Sequence, residues 1–286
     1  MCPPRPTRRN VTEPLFNTAT QPQPVPLATS SSLTGTAPPS EEEKTISPSM
    51  QINTQRFLEL IHAEFPDQLA TPRADTLHRR TFRIDHATPD NGCPSSATLP
   101  KLLHLLATNL GQKYDACNAR LYHNSTPWQQ NKLHEMNTSG LAYVVYSSND
   151  EPQMFLSFLI CEECDIRKQH DQHQVLYLYE IQIHAAYQRM GLGRTLLHHL
   201  RRLVPSINSN LQLSVYCIEL TVFGDNHNAI RLYKSVGGKL TFGSPKIEFE
   251  VENENQRVTR TTAAARNARS SRCRFVIPLY FTFYIT

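Results

Sequence analysis

The chain has 286 residues, which allows one domain of about 200 residues with flanking segments, or two smaller domains. Apolar residues make up 39 % of it, enough for a sizeable core. The sequence contains no run of 18 apolar residues, the length that a membrane-spanning helix needs. Residues 257–286 carry six arginines and no acidic residue, and without these six the net charge falls from +4 to −2. The part expected to fold is therefore mildly acidic, which argues against direct nucleic-acid binding by that part.

The N-terminal segment is expected to be disordered. Ten of the 20 prolines lie in residues 1–50, together with the acidic run Glu41–Glu43, and such a composition buries too little surface to offset chain entropy. The first residues contain no apolar stretch typical of a secretion signal. Seven irregularly spaced cysteines favour a reduced, intracellular protein over a disulfide scaffold.

The first half of the chain predicts two helices with a linker between them. Apolar residues at helical spacing from Phe57 to Phe65 predict a helix that ends at Pro66. Residues 70–97 resemble a linker. A second helical stripe covers residues 99–110 and ends at Gly111, and residues 114–134 are ambiguous, in part irregular and in part helical.

The second half predicts a layered α/β domain. The apolar runs 141–146, 154–161 and 175–184 predict an antiparallel meander. The remaining elements follow in order: a helix over 191–203 ended by Pro205, a strand over 211–223, a helix over 226–236 and a last strand over 246–251. This order predicts a mixed, mostly antiparallel sheet flanked by helices.

A phosphate-binding loop is predicted where the third meander strand leads into the next helix. Gly191 and Gly193 would allow close backbone approach, the helix N-terminus would favour an anion, and Arg189 and Arg194 would add positive charge. A lone Gly-x-Gly is weak by itself. A Rossmann fingerprint would need a third glycine where Leu196 stands, and the Gly-Lys-Ser/Thr of a P-loop is absent.

The segment Gln188-Arg-x-Gly-x-Gly193 after an antiparallel meander resembles the acetyl-CoA motif of the GNAT acetyltransferase superfamily, over about residues 140–250. Tyr177-Leu-Tyr-Glu-Ile-Gln182 and Leu220-Thr-Val-Phe223 further resemble NatD-type N-terminal acetyltransferases, as do Tyr114-Asp115 and Trp128 upstream. That type acetylates the α-amino group of core histones of the H-four and H-two-A kinds. The resemblance implies a GNAT domain over residues 51–252, followed by a basic, disordered C-terminal tail over 253–286.

The resemblance implies acetyl-CoA as the cosubstrate and no metal. Glu180 would be the general base, in a strand whose apolar neighbours desolvate it, with Tyr177 and Tyr179 in support. Alternation places Glu180 on the opposite face from both tyrosines unless the strand contains the bulge that GNAT folds have there. The implied cofactor-binding residues are Ile181, Gln182, Ile183, Gln188, Arg189, Met190, Gly191, Leu192, Gly193, Arg194 and Asn226. The implied substrate-binding residues are Glu162, Tyr179, Thr221, Trp128 and Tyr122.

Histone N-terminal tails would be the partners, and Glu162, Glu163 and Asp165 would provide an acidic site for their arginine. Ile247 stands where the family has a tyrosine in its last strand, so one substrate contact would be lost. We expect a monomer without membrane attachment, in the cytoplasm and nucleus.

Two other functions remain open. Cys161, Cys164, His170 and His173 are possible zinc ligands, although the gap between the pairs is short for a tetrahedral site, and they would suggest a non-catalytic binding module. The domain could also acetylate lysine side chains or other amines. The apolar run 275–286 is compatible with an extra strand, a partner-binding segment or a wrongly predicted reading frame.

Overall fold

The computed structural model describes residues 52–85, 97–246 and 280–286, and the backbone of 248–253, 256–260 and 273–276. Its helices are α1 (Thr54–Glu64), α2 (Thr98–Tyr122), α3 (Trp128–Met136), α4 (Leu192–Leu211) and α5 (His227–Ser235). Its first six strands are β1 (Gln68–Ala70), β2 (Thr76–Arg83), β3 (Ala142–Ser148), β4 (Glu151–Cys164), β5 (Gln172–Ile183) and β6 (Val215–Phe223). The others are β7 (Lys239–Leu240), β8 (Glu248–Asn253), β9 (Gln256–Arg260), β10 (Cys273–Val276) and β11 (Tyr280–Ile285).

Eight strands form one mixed sheet in the order β1-β2-β3-β4-β5-β6-β11-β7. Only β5 and β6 pair in parallel among these neighbours. The buried stripes of α1 and α4 pack on one face of the sheet, and α2 packs on the other with α3 beside it. Strands β8, β9 and β10 form a separate three-stranded sheet. This architecture confirms the predicted fold class.

The meander, α1, β6 and α5 lie where the sequence predicts them, but the predicted linker and the predicted ends of α2 and α4 are wrong. The supposed linker 70–97 contains β2, whose exposed positions are polar because β2 lies near the sheet edge. Helix α2 continues past Gly111, because a glycine inside a helix weakens it without ending it. Helix α4 continues past Pro205, which is exposed, so the carbonyl that loses its helical partner is accessible to water.

The C-terminal predictions also need correction. Residues 280–285 form β11, which lies between β6 and β7 and buries Phe281, Phe283 and Ile285. The expected disorder of 253–286 therefore does not extend to this strand, and β11 rather than the strand at 246–251 follows β6 in the main sheet. Ile247 and the N-terminal residues 1–51 lie outside the described residues. Within the described ranges, no helix is both long and apolar enough to cross a membrane.

Candidate active site

A bulge in β5 brings the candidate base and a tyrosine to the same face of the sheet. Ser157 of β4 pairs with Glu180, but the next residue, Phe158, pairs with Leu178, so Tyr179 is an extra residue. Tyr177 pairs with Leu159, which shares a face with Ser157 because they are two residues apart. The bulge expected from the resemblance is therefore present, and it places Glu180 on the face of Tyr177.

The sheet splays immediately after this bulge. The parallel ladder of β5 and β6 ends at the pair Leu178–Leu220, so residues 179–183 and 221–223 lie beyond the last paired position. Helices α4 and α5 both begin after the carboxyl ends of these strands, and their N-termini therefore lie at the same edge. Each segment still pairs with its outer neighbour, but the two strands no longer pair with each other. A cleft between two such strand edges, with two helix N-termini at one end, suits an extended ligand that carries phosphates.

The glycine loop gives α4 an N-terminus without a capping side chain. Gly191 is the N-cap with φ +82°, a left-handed conformation that glycine adopts without strain. The first helical bond runs from the Thr195 N–H to the Gly191 carbonyl at 3.1 Å, so the amides of residues 192–194 precede the helical ladder. Arg189 and Arg194 are exposed beside them. The start of α4 therefore has the backbone conformation that the predicted phosphate cradle requires, and phosphate binding there stays a prediction.

The other predicted cofactor residues surround this loop. Gln188 is exposed, Met190 and Leu192 pack against the core, and Gly193 is buried where a Cβ would lie 3.0 Å from Leu232 of α5. Asn226 accepts a hydrogen bond from the Ala229 N–H at 3.3 Å and so caps α5.

Two side chains fix the end of β5. The Ile183 carbonyl accepts hydrogen bonds from Asn109 Nδ2 at 3.1 Å and Gln188 Nε2 at 2.8 Å. Asn109 also donates to Gln182 Oε1 at 3.0 Å, and Ile181 and Ile183 pack against the core. The Gln182 side chain and the Ile183 carbonyl are therefore occupied within the protein, which leaves other backbone groups of the segment for a cofactor.

Glu180 is buried and ion-paired rather than surrounded by apolar groups alone. Its Oε1 lies 2.6 Å from Lys132 Nζ, and its Oε2 accepts a hydrogen bond from Gln182 Nε2 at 2.8 Å. Lys132 Nζ also lies 2.9 Å from Glu135 Oε2. Sequence reasoning missed both α3 residues, although Trp128, Lys132, Glu135 and Met136 recur at the spacing of one helix face.

Aromatic side chains from α2 and α3 pack around the charged cluster of Glu180, Lys132 and Glu135. The Trp128 ring stacks on Tyr114 with centroids 4.7 Å apart, and its Nε1 donates to Asp115 Oδ1 at 2.6 Å. Tyr122 packs in the same cluster, and burial, with the negative charge of Glu135, raises the pKa of its phenol. Trp128 is 98 % buried, so its side chain packs inside the protein and has little surface left for contact with a substrate.

Tyr177, Tyr179 and Thr221 meet on the β6 side of the cleft. The hydroxyls of Tyr177 and Thr221 lie 2.7 Å apart, and the rings of Tyr177 and Tyr179 meet edge to face at 5.1 Å. Burial raises the pKa of both phenols, so both are neutral near pH 7. Tyr177 is almost fully buried, whereas Tyr179 is partly exposed.

Comparison with known proteins agrees with this geometry. Residues 108–237 match the Acetyltransferase (GNAT) family, which covers the segment from α2 to the end of α5. The chain is also 32 % identical over 192 residues to N-alpha-acetyltransferase 40 of Saccharomyces cerevisiae. This alignment covers 65 % of this chain and 65 % of the yeast protein, slightly less than two thirds of the length of either.

The mixed eight-stranded sheet and its flanking helices form the GNAT fold. Among solved structures, the GNAT sheet resembles the ribosomal-protein-S18-alanine N-acetyltransferase of Escherichia coli (16 % identity, TM-score 0.38, 72 % of this chain and 92 % of that one). It also resembles Arabidopsis thaliana NAA60 in complex with a bisubstrate analogue (13 % identity, TM-score 0.37, 73 % and 99 %).

Two acidic residues that the sequence predicted for substrate binding lie on different faces of β4. Glu162 is exposed and alternates with Cys161 and Glu163, so it does not share the face of Tyr177. Glu163 does share that face, and so does Glu219 of β6, which is 96 % buried and whose Oε2 has no hydrogen-bond partner in the described structure. Burial, together with the charge of Glu163, raises the pKa of Glu219 to about 9. The sequence did contain a sign of this buried carboxyl, since Glu219 is the only charged residue of β6.

The possible zinc ligands do not converge. Cys161 and Cys164 lie three residues apart on the extended strand β4, so they are about 10 Å apart and project to opposite faces. His173 instead lies 2.7 Å from Asp171 and stacks on Tyr216. Among the described residues, no group of three or more His, Cys, Asp or Glu side chains has a geometry suited to a metal ion.

One further residue near Glu180 was missed by sequence reasoning. Tyr233 of α5 is 94 % buried, and burial together with the charge of Glu180 raises the pKa of its phenol. Helical spacing predicted α5, but only the tertiary arrangement brings its tyrosine into electrostatic reach of the candidate base.

Proposed function

We propose that this protein transfers the acetyl group of acetyl-CoA to the α-amino group of protein N-termini, and that the N-terminal tails of core histones are its substrates. The observation that carries the proposal is the position of Glu180, buried beside a bulge at the point where β5 separates from β6. The relationship to the yeast N-alpha-acetyltransferase 40 supports the same reaction. A histone substrate would place the protein in the cytoplasm and nucleus.

The cleft offers groups for each part of acetyl-CoA. The amides at the start of α4, with Arg189 and Arg194, would hold its diphosphate. The β5 backbone along 181–183 that faces β6, apart from the occupied Ile183 carbonyl, would hold its extended arm. When bound, acetyl-CoA supplies an acetyl group activated as a thioester. The protein would then have to present an amine without its proton.

Glu180 is the group that would remove this proton. An α-amino group has a pKa of roughly 7.8, so about 14 % is neutral at pH 7, against about 0.04 % for a lysine side chain. Glu180 would accept a proton from the α-ammonium group, directly or through a water. The new amide bond then forms as the carbon–sulfur bond breaks, and the neutral phenol of Tyr179 would give its proton to the departing thiolate. The second proton of the attacking nitrogen would return that phenol to its neutral form.

The remaining side chains would position the peptide. Tyr177 and Thr221, already paired at 2.7 Å, offer hydroxyls for the substrate backbone or its first side chain. Glu163 offers a carboxylate for a basic residue further along the tail, in place of the exposed Glu162. The mild acidity of the chain outside residues 257–286 agrees with a basic substrate.

Mass spectrometry of a Ser-Gly-Arg-Gly peptide after incubation with acetyl-CoA tests the proposal. We expect a single acetyl group on the α-amine and none on the same peptide with a blocked α-amine. A matched peptide with a different N-terminal sequence reports on the histone preference. Acetylation confined to an internal lysine would instead establish a lysine acetyltransferase, and no acetylation of any peptide would refute the proposed activity.

A further inference from the structure

A buried lysine lies between two buried carboxylates behind the proposed active site. Lys132 Nζ is 2.6 Å from Glu180 Oε1 and 2.9 Å from Glu135 Oε2, and the residue is 1 % exposed. It also lies over the Tyr114 ring, 5.6 Å from its centroid. An ammonium group so far from solvent is stable only when such partners replace its hydration.

The other ionisable groups around this cluster are neutral. They are Tyr114 and Tyr122 on α2, Tyr143 on β3, Tyr179 on β5 and Tyr233 on α5, and burial raises the pKa of each phenol. Burial by itself would lower the pKa of Lys132, but the charges of Glu135 and Glu180 outweigh it and hold that pKa well above its usual range. The cluster thus holds two carboxylates and one ammonium group, and its net charge is −1.

This charge balance determines whether Glu180 is ready to act. Without the ammonium group, two carboxylates in one buried cluster would repel each other with no positive charge between them, and a proton on one of them would relieve this repulsion. If Glu180 holds that proton, it cannot accept another from a substrate.

We propose that Lys132 is a positioning residue for acetyl transfer, which fixes the Glu180 carboxylate in place and keeps it ionised against the neighbouring Glu135. This inference rests on the proposed function, because it assigns Lys132 a role only if Glu180 acts as the base. Lys132 itself touches neither the peptide nor the acetyl group in this assignment. Its effect passes through Glu180.

The test is the pH dependence of kcat, measured with the full chain and saturating Ser-Gly-Arg-Gly peptide. For Lys132→Met we expect kcat at pH 7 to fall at least about 10-fold. We also expect the acid limb of the pH–kcat profile, where kcat falls as the pH is lowered, to move up by at least about one pH unit. Lys132→Arg keeps the positive charge, so its acid limb should stay near that of the wild type. Lys132→Met combined with Glu135→Gln removes the repelling carboxylate, and the limb should move back towards the wild type.

Two measurements separate this role from a purely structural one. Melting temperature and acetyl-CoA affinity report whether each variant is folded, and kcat is compared per folded, cofactor-binding molecule. A Lys132→Met variant that is folded, slower and unmoved in its pH profile would overturn the inference, as would a double variant with no recovery. A wild-type protein that acetylates no peptide would overturn both proposals, whereas an active wild type with an unmoved profile overturns only this one.

Discussion

Glu180 carries the proposed chemistry, and its removal should affect turnover and not cofactor binding. The Glu180→Gln side chain has nearly the same shape but cannot accept a proton, so we expect kcat to fall by about 10²-fold or more. Acetyl-CoA affinity should change by less than about two-fold, because the predicted phosphate cradle lies at the start of α4. Steady-state kinetics and calorimetric titration with acetyl-CoA measure the two effects.

A matched control at Glu135 tests whether the loss is specific. Glu135→Gln removes the other carboxylate on Lys132 but leaves the base. Its kcat near pH 7 should stay much closer to the wild type than that of Glu180→Gln. Equal turnover in the wild type and Glu180→Gln would exclude Glu180 as the base.

The buried Glu219 should make the stability of the protein depend on pH. Its pKa is raised from an ordinary value of 4.5 to about 9, so between these values the folded state binds more protons than the unfolded state. The contribution of this residue is therefore complete below about pH 4.5 and is lost as the pH rises towards 9, by about 1.4 kcal/mol per pH unit.

The variant Glu219→Gln is neutral at every pH and should lack this loss. We expect it to gain stability relative to the wild type at pH 8 and to gain much less at pH 5. Denaturant unfolding of both proteins at the two pH values measures the difference. The same difference at both pH values would show that Glu219 does not titrate on unfolding.

At the level of elements, the loop before α4 combines backbone conformation with electrostatics. Gly191→Glu forces a side chain into a left-handed backbone conformation and puts a negative charge at the helix end expected to hold the diphosphate. We expect acetyl-CoA affinity to fall at least about 100-fold, since both effects oppose binding. Titration calorimetry with the cofactor measures this loss.

Gly237 provides the control for this loop. It has φ +89° and, like Gly191, nothing within 4 Å of an added Cβ, but it follows α5. Gly237→Glu should therefore cost similar stability and leave cofactor affinity near that of the wild type. Similar losses of affinity in both variants would attribute the effect to strain and not to a phosphate site.

The elements that the sequence predicted carry a clear apolar pattern. Helices α4 and α5 each have an apolar stripe, and the β3–β5 meander strands contain nearly continuous apolar runs that are buried on both faces. Strand β2 was missed because only Leu77 and Phe82 among its residues are buried apolar side chains, and α3 was missed because its buried face contains Lys132 and Glu135.

Local sequence patterns also explain which parts of the candidate site could be predicted. The glycine loop and the strand of Glu180 are continuous in sequence and were found. Lys132 and Glu219 lie far from them along the chain, and their burial depends on pairing between elements that no local pattern specifies. The bulge at Tyr179 is a register shift of one residue, which alternation in β5 alone does not predict.

At the scale of the whole molecule, the C-terminal strand completes the core of the sheet. β11 pairs with β6 along six residues, and its Phe283 is 1 % exposed and packs near Tyr233, with ring centroids 6.3 Å apart. Because β6 and α5 line the cleft, a loss of β11 packing should weaken the fold around the active site. The strand is thus part of the domain in spite of the basic segment that precedes it.

Phe283→Ala tests this conclusion. A buried phenylalanine replaced by alanine costs about 3–5 kcal/mol, and we expect a loss of this size in the free energy of unfolding measured with urea. Leu240→Ala is the control, since Leu240 of β7 pairs with Phe283 of β11 but is 48 % exposed. This substitution should lower the free energy of unfolding by less than about 1 kcal/mol. If Phe283→Ala were as mild as Leu240→Ala, β11 would not be packed in the sheet in solution, and the domain would end before it.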